Sequence, residues 1–564
     1  MQLRLARSIG AIYTARMALT GELRTALRRY WGYETFRPLQ ERIITSLLTG
    51  HDACVVMPTG GGKSLCYQLP AAMSAGRTVL VISPLIALMQ DQVAQLTQMG
   101  IPACMMNSSV DRPEQSRMMQ KACEGEYRLL YLSPERLAVP ETIAWLQRVP
   151  LLFFVIDEAH CISEWGHEFR PDYRQLNSLR SHFSEHPIAA FTASATRRVR
   201  HDIIDQLRLR DPHKFIASFH RPNLRYLVKE CSGGSQSELL LHALRNCPQG
   251  NVIIYAPTIA RVEATVSLLR NNGFDAVAYH GQMDHKTRKR NQERWMSDEV
   301  RVLVGTIAFG LGINKPAVRA VIHLSLPKSL EQYYQEAGRA GRDGLPADCL
   351  LLWQKRDAGL LAHFIGQLAD PVEIGAAWQR YREIRRFVDA RHCRHHQICL
   401  HFGESTKWPS CGACDVCGGA PAWLAEESAP EQRPRKRTKA SATHGRERSR
   451  TTPAPATSHS SPRLPRPAEP VPARLASPEN SELRERLRQW RRALAKELDV
   501  PAFVVMHDTS LDELCRRRPA SMQALRQVPG FGEKRTATYG PQILNVLTQF
   551  GRGESSAQLP GEKS

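Results

Sequence analysis

The chain has 564 residues, enough for three or four domains at roughly 150 residues each. It carries 76 Lys+Arg against 55 Asp+Glu, a formal net charge of +21, which points to a polyanionic partner. Its longest apolar runs, such as Val79-Leu80-Val81-Ile82, fall far short of the roughly 18 residues a membrane span requires, and 14 mostly scattered cysteines read as a reduced, intracellular protein, not a disulfide framework.

Residues 1–21 lack acidic side chains and carry Arg4, Arg7 and Arg16. An organellar leader is one reading. An upstream start is the other, favoured because Met17-Ala18-Leu19-Thr20-Gly21-Glu22 opens a first helix naturally. Next comes Phe36-Arg37-Pro38-Leu39-Gln40. A rigidly held Gln40 can pair bidentately with adenine N6 and N7, with Tyr33 and Arg37 flanking the ring. The plain alternative is a helix entry with Pro38 in its first turn.

Cys54-Val55-Val56 leads into Met57-Pro58-Thr59-Gly60-Gly61-Gly62-Lys63-Ser64. A strand, a glycine loop and a helix start make a phosphate cradle for ATP. Backbone N–H groups at Gly60, Gly61 and Gly62 face the anion, Lys63 reaches the β- and γ-phosphates, and Ser64 ligates Mg²⁺. Met57 stands where the motif usually has its first glycine. The segments Val79–Val93 and Leu129–Arg136 each read as a buried strand ending in a Ser-Pro turn, the first at Ser83-Pro84, suited to gripping a nucleic-acid strand. The stretch Leu151 to Tyr173 opens with six apolar residues, the profile of a strand buried on both faces of a parallel sheet. It delivers Asp157 and Glu158 to the strand's C-terminal end, where open α/β sheets bind ligands. Asp157 suits Mg²⁺, and Glu158 suits orienting and deprotonating the attacking water. Trp165, His167, Phe169 and Arg170 follow at once, aromatics interleaved with charge, as in a loop that stacks on bases while touching phosphates. Phe191–Thr196 ends another strand with small hydroxyl residues placed to couple hydrolysis to domain motion.

A second lobe is expected from near Asp211, with strands at Asn251–Tyr255 and Arg301–Val304 in a further parallel sheet. Gly305–Gly312 sets flexible backbone beside the cleft. In Tyr333–Asp343, Arg339 and Arg342 lie three apart, on one face if helical. An arginine from a second lobe reaches a γ-phosphate only when the cleft closes. A basic surface turn is the bland alternative.

The set FRPLQ, PTGGGKS, DEAHCISEWGHEFRPDY, SFHRPNLRY, AFGLGINKP and YYQEAGRAGRDG, in this order over roughly residues 22–420, resembles the RecQ-family DNA helicases of superfamily 2. The resemblance implies an α/β fold with two RecA-like lobes that hydrolyse ATP and move 3′→5′ on single-stranded DNA. It assigns Gln40 to adenine, Lys63 and Ser64 to phosphate and Mg²⁺, and Asp157 and Glu158 to metal and water. Gln335, Arg339 and Arg342 become the second-lobe contacts, with Arg342 as the finger. Tyr279-His280-Gly281-Gln282-Met283 departs from the family's YHAGL at a turn that contacts DNA.

Cys411, Cys414 and Cys417, in two CxxC steps, follow Cys393 with seventeen residues between Cys393 and Cys411. Four such thiols suit a closed, tetrahedral structural zinc site, and the family carries a similar one. A redox dithiol is the alternative, Cys399 is a competing ligand, and His395, His396 and His401 stand further out. From Pro421 to Asn480 the Pro-, Ser-, Thr-, Ala- and Arg-rich composition cannot offset its ordering entropy, so a disordered basic linker is expected. No strand-and-helix pattern there signals the winged helix that many family members use to part duplexes. Leu483, Leu487, Trp490, Leu494 and Leu498 form a helical core stripe in a segment that resembles the HRDC domain. There Gly530-Phe531-Gly532 with Lys534 and Arg535 reads equally as a phosphate contact or a tight interhelical turn.

The expected layout is an extension (1–21), lobe 1 (22–212), lobe 2 (213–356), a zinc module (357–420), the linker (421–480), a helical C-terminal domain (481–551) and a tail (552–564). A linker of about sixty residues spans roughly 40–45 Å, so the C-terminal domain is expected to sample DNA beside the motor without docking on it. The implied function is an ATP-dependent DNA helicase using ATP, Mg²⁺ and Zn²⁺ on single-stranded and on tailed or forked duplex DNA, in recombination and repair. Single-stranded-DNA-binding and recombination proteins are the implied partners, a bacterial cytoplasm with its nucleoid the implied location. A DNA-stimulated translocase with little strand separation is the first rival, and a non-catalytic DNA-binding scaffold the second.

Overall fold

A computed structural model describes residues 19–106, 111–166, 168–232, 234–309, 315–425, 478–498 and 502–551. Among these, no helix is long and apolar enough to cross a membrane. Lobe 1 is a parallel sheet of β1 (Ala53–Val56), β2 (Thr78–Ile82), β3 (Ala103–Met106), β4 (Leu129–Leu132), β5 (Leu151–Ile156), β6 (Ile188–Thr192) and β7 (His213–Ile216). Their order is β3-β4-β2-β5-β6-β1-β7. Every residue of β1, β2 and β6 is buried, because helices cover both faces of the sheet, and this explains why no polar alternation shows in the sequence. The register sets Val56 beside Thr192 and Ile156 beside Ala190. The C-terminal ends of β1, β6 and β5 therefore lie side by side.

β7 corrects the expected boundary at 212, since it pairs with β1 of the first sheet. Only Phe215 of its four residues is buried, so this edge strand lacks the apolar run that marks its neighbours. Lobe 2 is a second parallel sheet, of β8 (Leu224–Glu230), β9 (Asn251–Tyr255), β10 (Ala276–Tyr279), β11 (Val302–Gly305), β12 (Val318–His323) and β13 (Ala347–Trp353), ordered β10-β11-β9-β12-β13-β8. Helices Arg356–Gly366, Pro371–Asp389 and Arg394–His401 follow it. The cysteine segment docks on edge strand β8: Asp415 N–H donates to the Tyr226 carbonyl at 3.0 Å, and Val228 N–H donates to Asp415 Oδ2 at 3.2 Å.

The linker starts later than Pro421. Residues Ala422–Ala425 form a helical turn whose Leu424 is buried in the lobe 2 core. Residues 426–477 lie outside the described ones. The C-terminal domain comprises helices Pro478–Glu497, Ala502–Val505, Asp508–Arg517, Met522–Arg526 and Glu533–Gly551. Of its predicted stripe, Leu483, Leu487 and Trp490 are buried, Leu494 packs at the margin and Leu498 is exposed.

This domain rests on the motor, which corrects the expectation of an undocked tether. Gly530 N–H donates to the Trp31 carbonyl at 3.1 Å, and Phe531 backbone lies so close to Gly32 that a Cβ there would stand 2.9 Å from it. The Gly530-Phe531-Gly532 segment is thus a tight turn committed to lobe 1 and not a phosphate contact. On lobe 2, Arg488 pairs with Asp298 at 2.7 Å, Asp298 also holds the buried Lys315 at 2.7 Å, and Arg492 donates to the Ser297 carbonyl. A long linker permits free sampling, but complementary charge and an apolar turn favour contact.

Arg488→Ala combined with Arg492→Ala should release the domain while both lobes stay folded. So should raising salt from about 0.1 M to about 1 M, which shortens the screening length from about 10 Å to about 3 Å. Small-angle scattering should then report a larger maximum dimension. Unchanged scattering under both treatments would show that the apolar contacts with lobe 1, the Phe531 turn among them, suffice to hold the domain.

Candidate nucleotide and nucleic-acid site

The glycine loop emerges from β1 and turns into helix Leu65–Met73. Gly60 and Gly62 both adopt φ +82, a left-handed backbone that glycine alone reaches without strain. A Cβ on Gly62 would also collide with the Gln40 amide. Lys63 Nζ donates to the Met57 carbonyl at 3.2 Å, which folds its ammonium back over the loop where phosphate oxygens would bind. Gln40 is buried against this loop. Its Nε2 donates to the Gly62 carbonyl at 3.0 Å, and its Oε1 accepts Arg37 N–H at 2.8 Å. Arg37 also donates from its guanidinium to the Gly60 carbonyl. Two of the three residues predicted for adenine, Gln40 and Arg37, therefore brace the phosphate loop here, while Tyr33 is exposed.

Asp157 and Glu158 leave the end of β5, as the sequence predicts. Asp157 N–H donates to the Ile82 carbonyl at 2.8 Å, which extends the β2–β5 ladder and fixes the carboxylate. Burial and the adjacent Glu158 charge push the Asp157 carboxyl up to about 7, with Lys63 opposing. Two carboxylates crowded in low dielectric suit a divalent cation, whose charge would offset both their burial and their mutual repulsion. Glu158 has φ 47, left-handed for a non-glycine residue, a strain of about 1–3 kcal/mol of the kind found at functional sites. Its N–H donates to Asp157 Oδ1 at 3.0 Å, and its Oε2 lies 3.3 Å from His160 Nδ1.

From Glu158 a polar chain runs to lobe 2. His160 Nδ1 lies 3.0 Å from Thr192 Oγ1, the Thr192 hydroxyl donates to the Ser194 carbonyl at 3.1 Å, and Gln335 Nε2 donates to Ser194 Oγ at 2.9 Å. The expected coupling segment therefore meets the expected second-lobe contact directly. Arg339 and Arg342 are not on a helical face. Helix Leu330–Ala337, capped by Ser329, ends before them, and they sit in the turn that follows. Arg339 approaches Tyr255 at the end of β9. The Arg342 stem crosses the glycine loop, 3.3 Å from where a Gly60 Cβ would stand. Burial, Arg339 and Arg221 lower Arg342 to about 9, with Tyr255 and Glu158 opposing. Three crowded guanidiniums fit a polyanionic ligand as closely as the carboxylates fit a cation.

In the aromatic loop, Trp165 is 37% exposed and lies under the Arg198 guanidinium, 3.1 Å from its ring centre. Phe169 stacks below Arg174 at 5.1 Å. Arg170 N–H donates to the Cys161 carbonyl at 2.9 Å, and its guanidinium reaches the Pro84 carbonyl at 3.5 Å. The loop thus adjoins the Ser83-Pro84 turn. His167 lies outside the described residues, as do 310–314 of the lobe 2 glycine stretch. At the departing Tyr279–Met283 turn, His280 Nε2 pairs with Glu263 at 2.7 Å.

The sulfurs of Cys393, Cys411, Cys414 and Cys417 all lie within 4.8 Å of one another, the right donors for tetrahedral Zn²⁺. Ala413 and Cys414 N–H groups point at Cys411 Sγ, and Arg394 N–H at Cys414 Sγ, at 3.4–3.5 Å, as thiolate sulfur requires. Cys399 is buried outside this group. His395, His396 and His401 are engaged elsewhere, by the Arg221 carbonyl, Thr406 and Glu331. Sequence reasoning missed Arg198, a single arginine in a strongly basic chain, and gave Arg221 no role although it lies in SFHRPNLRY, because the partners of both are distant in sequence.

The sequence matches the DEAD/DEAH box helicase family over residues 37–203, the helicase conserved C-terminal domain over 235–344, the RecQ zinc-binding domain over 355–418 and the HRDC domain over 480–547. It is 42% identical over 393 residues to an ATP-dependent DNA helicase RecQ of Haemophilus influenzae, covering 70% of this chain and 63% of that protein. It is 34% identical over 588 residues to the Bacillus subtilis protein of the same name, covering 93% and 98%. It is 39% identical to ATP-dependent DNA helicase Q-like 2 of Arabidopsis thaliana over 402 residues, 69% and 56% of the two chains. Matches to the Haemophilus and Arabidopsis relatives thus span less than two thirds of their length.

Proposed function

The chain belongs to the RecQ family of helicases, and on that premise we propose that it is an ATP-dependent DNA helicase that moves 3′→5′ on single-stranded DNA and separates duplexes, acting in recombination and repair on nucleoid DNA in the cytoplasm. The observation that carries this reading is the Arg342 stem lying across Gly60, an arginine of one lobe over the phosphate loop of the other. Hydrolysis in such a cleft depends on lobe closure. Lys63 and the loop N–H groups bind the phosphates, and Glu158 takes the proton of the attacking water. Arg342, with Arg339 behind it, stabilises charge on the transferred group, and Gln335 reports closure through Ser194. Ser64 and Asp157 would hold Mg²⁺, which would supply charge neutralisation for the phosphates. Cys393, Cys411, Cys414 and Cys417 hold Zn²⁺. Trp165, Phe169 and Arg170 face the DNA strand.

Strand displacement tests the proposal. A 3′-tailed duplex should be unwound with ATP, whereas a 5′-tailed duplex and a blunt one should stay paired. ATP hydrolysis stimulated by single-stranded DNA, with no strand displaced from any tailed or forked duplex, would make the protein a translocase instead.

A further inference from the structure

A third arginine in the ATP cleft has no part in the reading above. Arg221 precedes β8, in the segment joining the lobes. Its Nη1 donates to the Thr59 carbonyl of the phosphate loop at 3.1 Å, and its Nη2 donates to the Ala340 and Gly341 carbonyls of the arginine turn at 3.2 and 3.0 Å. Its Nε reaches Asn223 Oδ1 at 3.4 Å, and Asn223 Nδ2 also donates to the Gly341 carbonyl at 2.8 Å. These contacts fall on protein, mainly on main-chain carbonyls, so the guanidinium holds the two loops to each other. Only a planar fork spans them; a lysine ammonium is a single point.

Arg221 is itself held from behind. Its carbonyl accepts from His395 Nε2 at 3.0 Å, which fixes the tautomer with the proton on Nε2. His395 is buried, with His220 and Tyr226 rings edge-on to it at 4.9 Å each. Its helix, Arg394–His401, starts at Cys393 and is pinned throughout. Arg394 pairs with Asp415 at 3.0 Å, and His401 Nε2 meets Glu331 of the lobe 2 helix Leu330–Ala337 at 2.6 Å. Beyond its C-terminus, the Phe402 and Gly403 carbonyls accept from Arg200 at 2.8 Å and Arg197 at 2.9 Å, both on lobe 1 helix Arg197–Gln206. Gly403 has φ +75, and a Cβ there would strike the Arg197 side chain. One short helix of the cysteine module thus touches both lobes and the segment between them.

We propose that Arg221 is a positioning residue for ATP hydrolysis, aimed by His395, whose fork fixes the separation of the phosphate loop and the arginine turn so that Arg342 meets the transferred phosphate in register. This rests on the ATPase reading above. The cysteine module is then part of the hydrolytic machinery through the His395 ring, the Arg221 main chain it holds and the Arg221 guanidinium, independently of any contact it makes with DNA.

The experiment measures ATPase kcat and KM at saturating single-stranded DNA, with DNA affinity and zinc content alongside. Wild type lacking DNA-stimulated hydrolysis would sink the ATPase reading itself, before any variant is compared. Given that activity, Arg221→Ala should lower kcat by about tenfold or more, as misplaced catalytic groups do, with DNA affinity and zinc unchanged. Arg221→Lys should remain impaired, and added guanidinium should partly rescue Arg221→Ala. His395→Phe, which keeps a buried ring without the donor, should lower kcat, and His395→Gln should restore part of it. The double variant Arg221→Ala/His395→Phe should be no slower than Arg221→Ala alone, because the two act as a unit. Wild-type kcat in Arg221→Ala, strictly additive losses, or losses matched by lost zinc or lost DNA binding would overturn the proposal.

Discussion

Glu158→Gln should bind ATP and DNA with near-normal affinity and hydrolyse ATP at least about a hundredfold more slowly, roughly 2.7 kcal/mol of barrier. Glutamine keeps the shape and the main-chain hydrogen bond to Asp157 Oδ1 but cannot accept the water proton. The substitution also removes one of the two charges that crowd the end of β5, so Asp157 becomes easier to ionise and phosphate binding is preserved. Lys63→Ala is the complementary case. It removes the cation that faces the β/γ-phosphates, so nucleotide affinity should fall together with turnover. Fluorescent-nucleotide binding and single-turnover hydrolysis distinguish the two. Robust hydrolysis by Glu158→Gln would remove Glu158 from the role of base and leave His160, 3.3 Å away, as the group to examine.

Residues that act through local spacing were legible in the sequence, and residues that act through distant partners were not. The glycine loop, Asp157-Glu158 and the four cysteines announce themselves because backbone geometry or metal coordination demands given residue types at short, fixed intervals. The central strands were legible for a related reason, since burial on both faces leaves an unbroken apolar run. β7 failed that test because three of its four residues are not buried. Arg221 lies 162 positions from Thr59 and 120 from Gly341, so although it stands in SFHRPNLRY, the motif does not say which loops its guanidinium joins. Gln40 was recognised by its motif, yet its grip on the Gly62 carbonyl is a tertiary fact. Docking of the C-terminal domain was hidden for the same reason. Linker length limits how far a domain travels, whereas Arg488 opposite Asp298 and Phe531 against Gly32 decide where it rests.

Cys414→Ser should yield protein that is insoluble or rapidly cut by protease, not a folded enzyme with altered activity. Structural four-cysteine zinc sites contribute about 10–16 kcal/mol of apparent binding energy in small domains, which equals or exceeds the roughly 5–15 kcal/mol that holds a whole domain folded. Cys414 is the most enclosed of the four ligands, and a serine hydroxyl there neither ionises near neutral pH nor suits the metal. The loss should spread, because Cys393 begins the helix whose residues hold Arg221, Glu331 and, through the carbonyls beyond its end, Arg197 and Arg200. Both lobes should therefore lose an anchor, and limited proteolysis should cut between residues 355 and 420 first. Chelation of the wild-type protein should reproduce the pattern, and restored zinc should reverse it while the chain stays soluble. Metal analysis of wild type should return about one zinc per chain, the stoichiometry of one closed tetrahedral site. Wild-type protein with no zinc, or a soluble, protease-resistant Cys414→Ser variant, would show that the thiols serve another purpose, with a redox dithiol as the remaining reading.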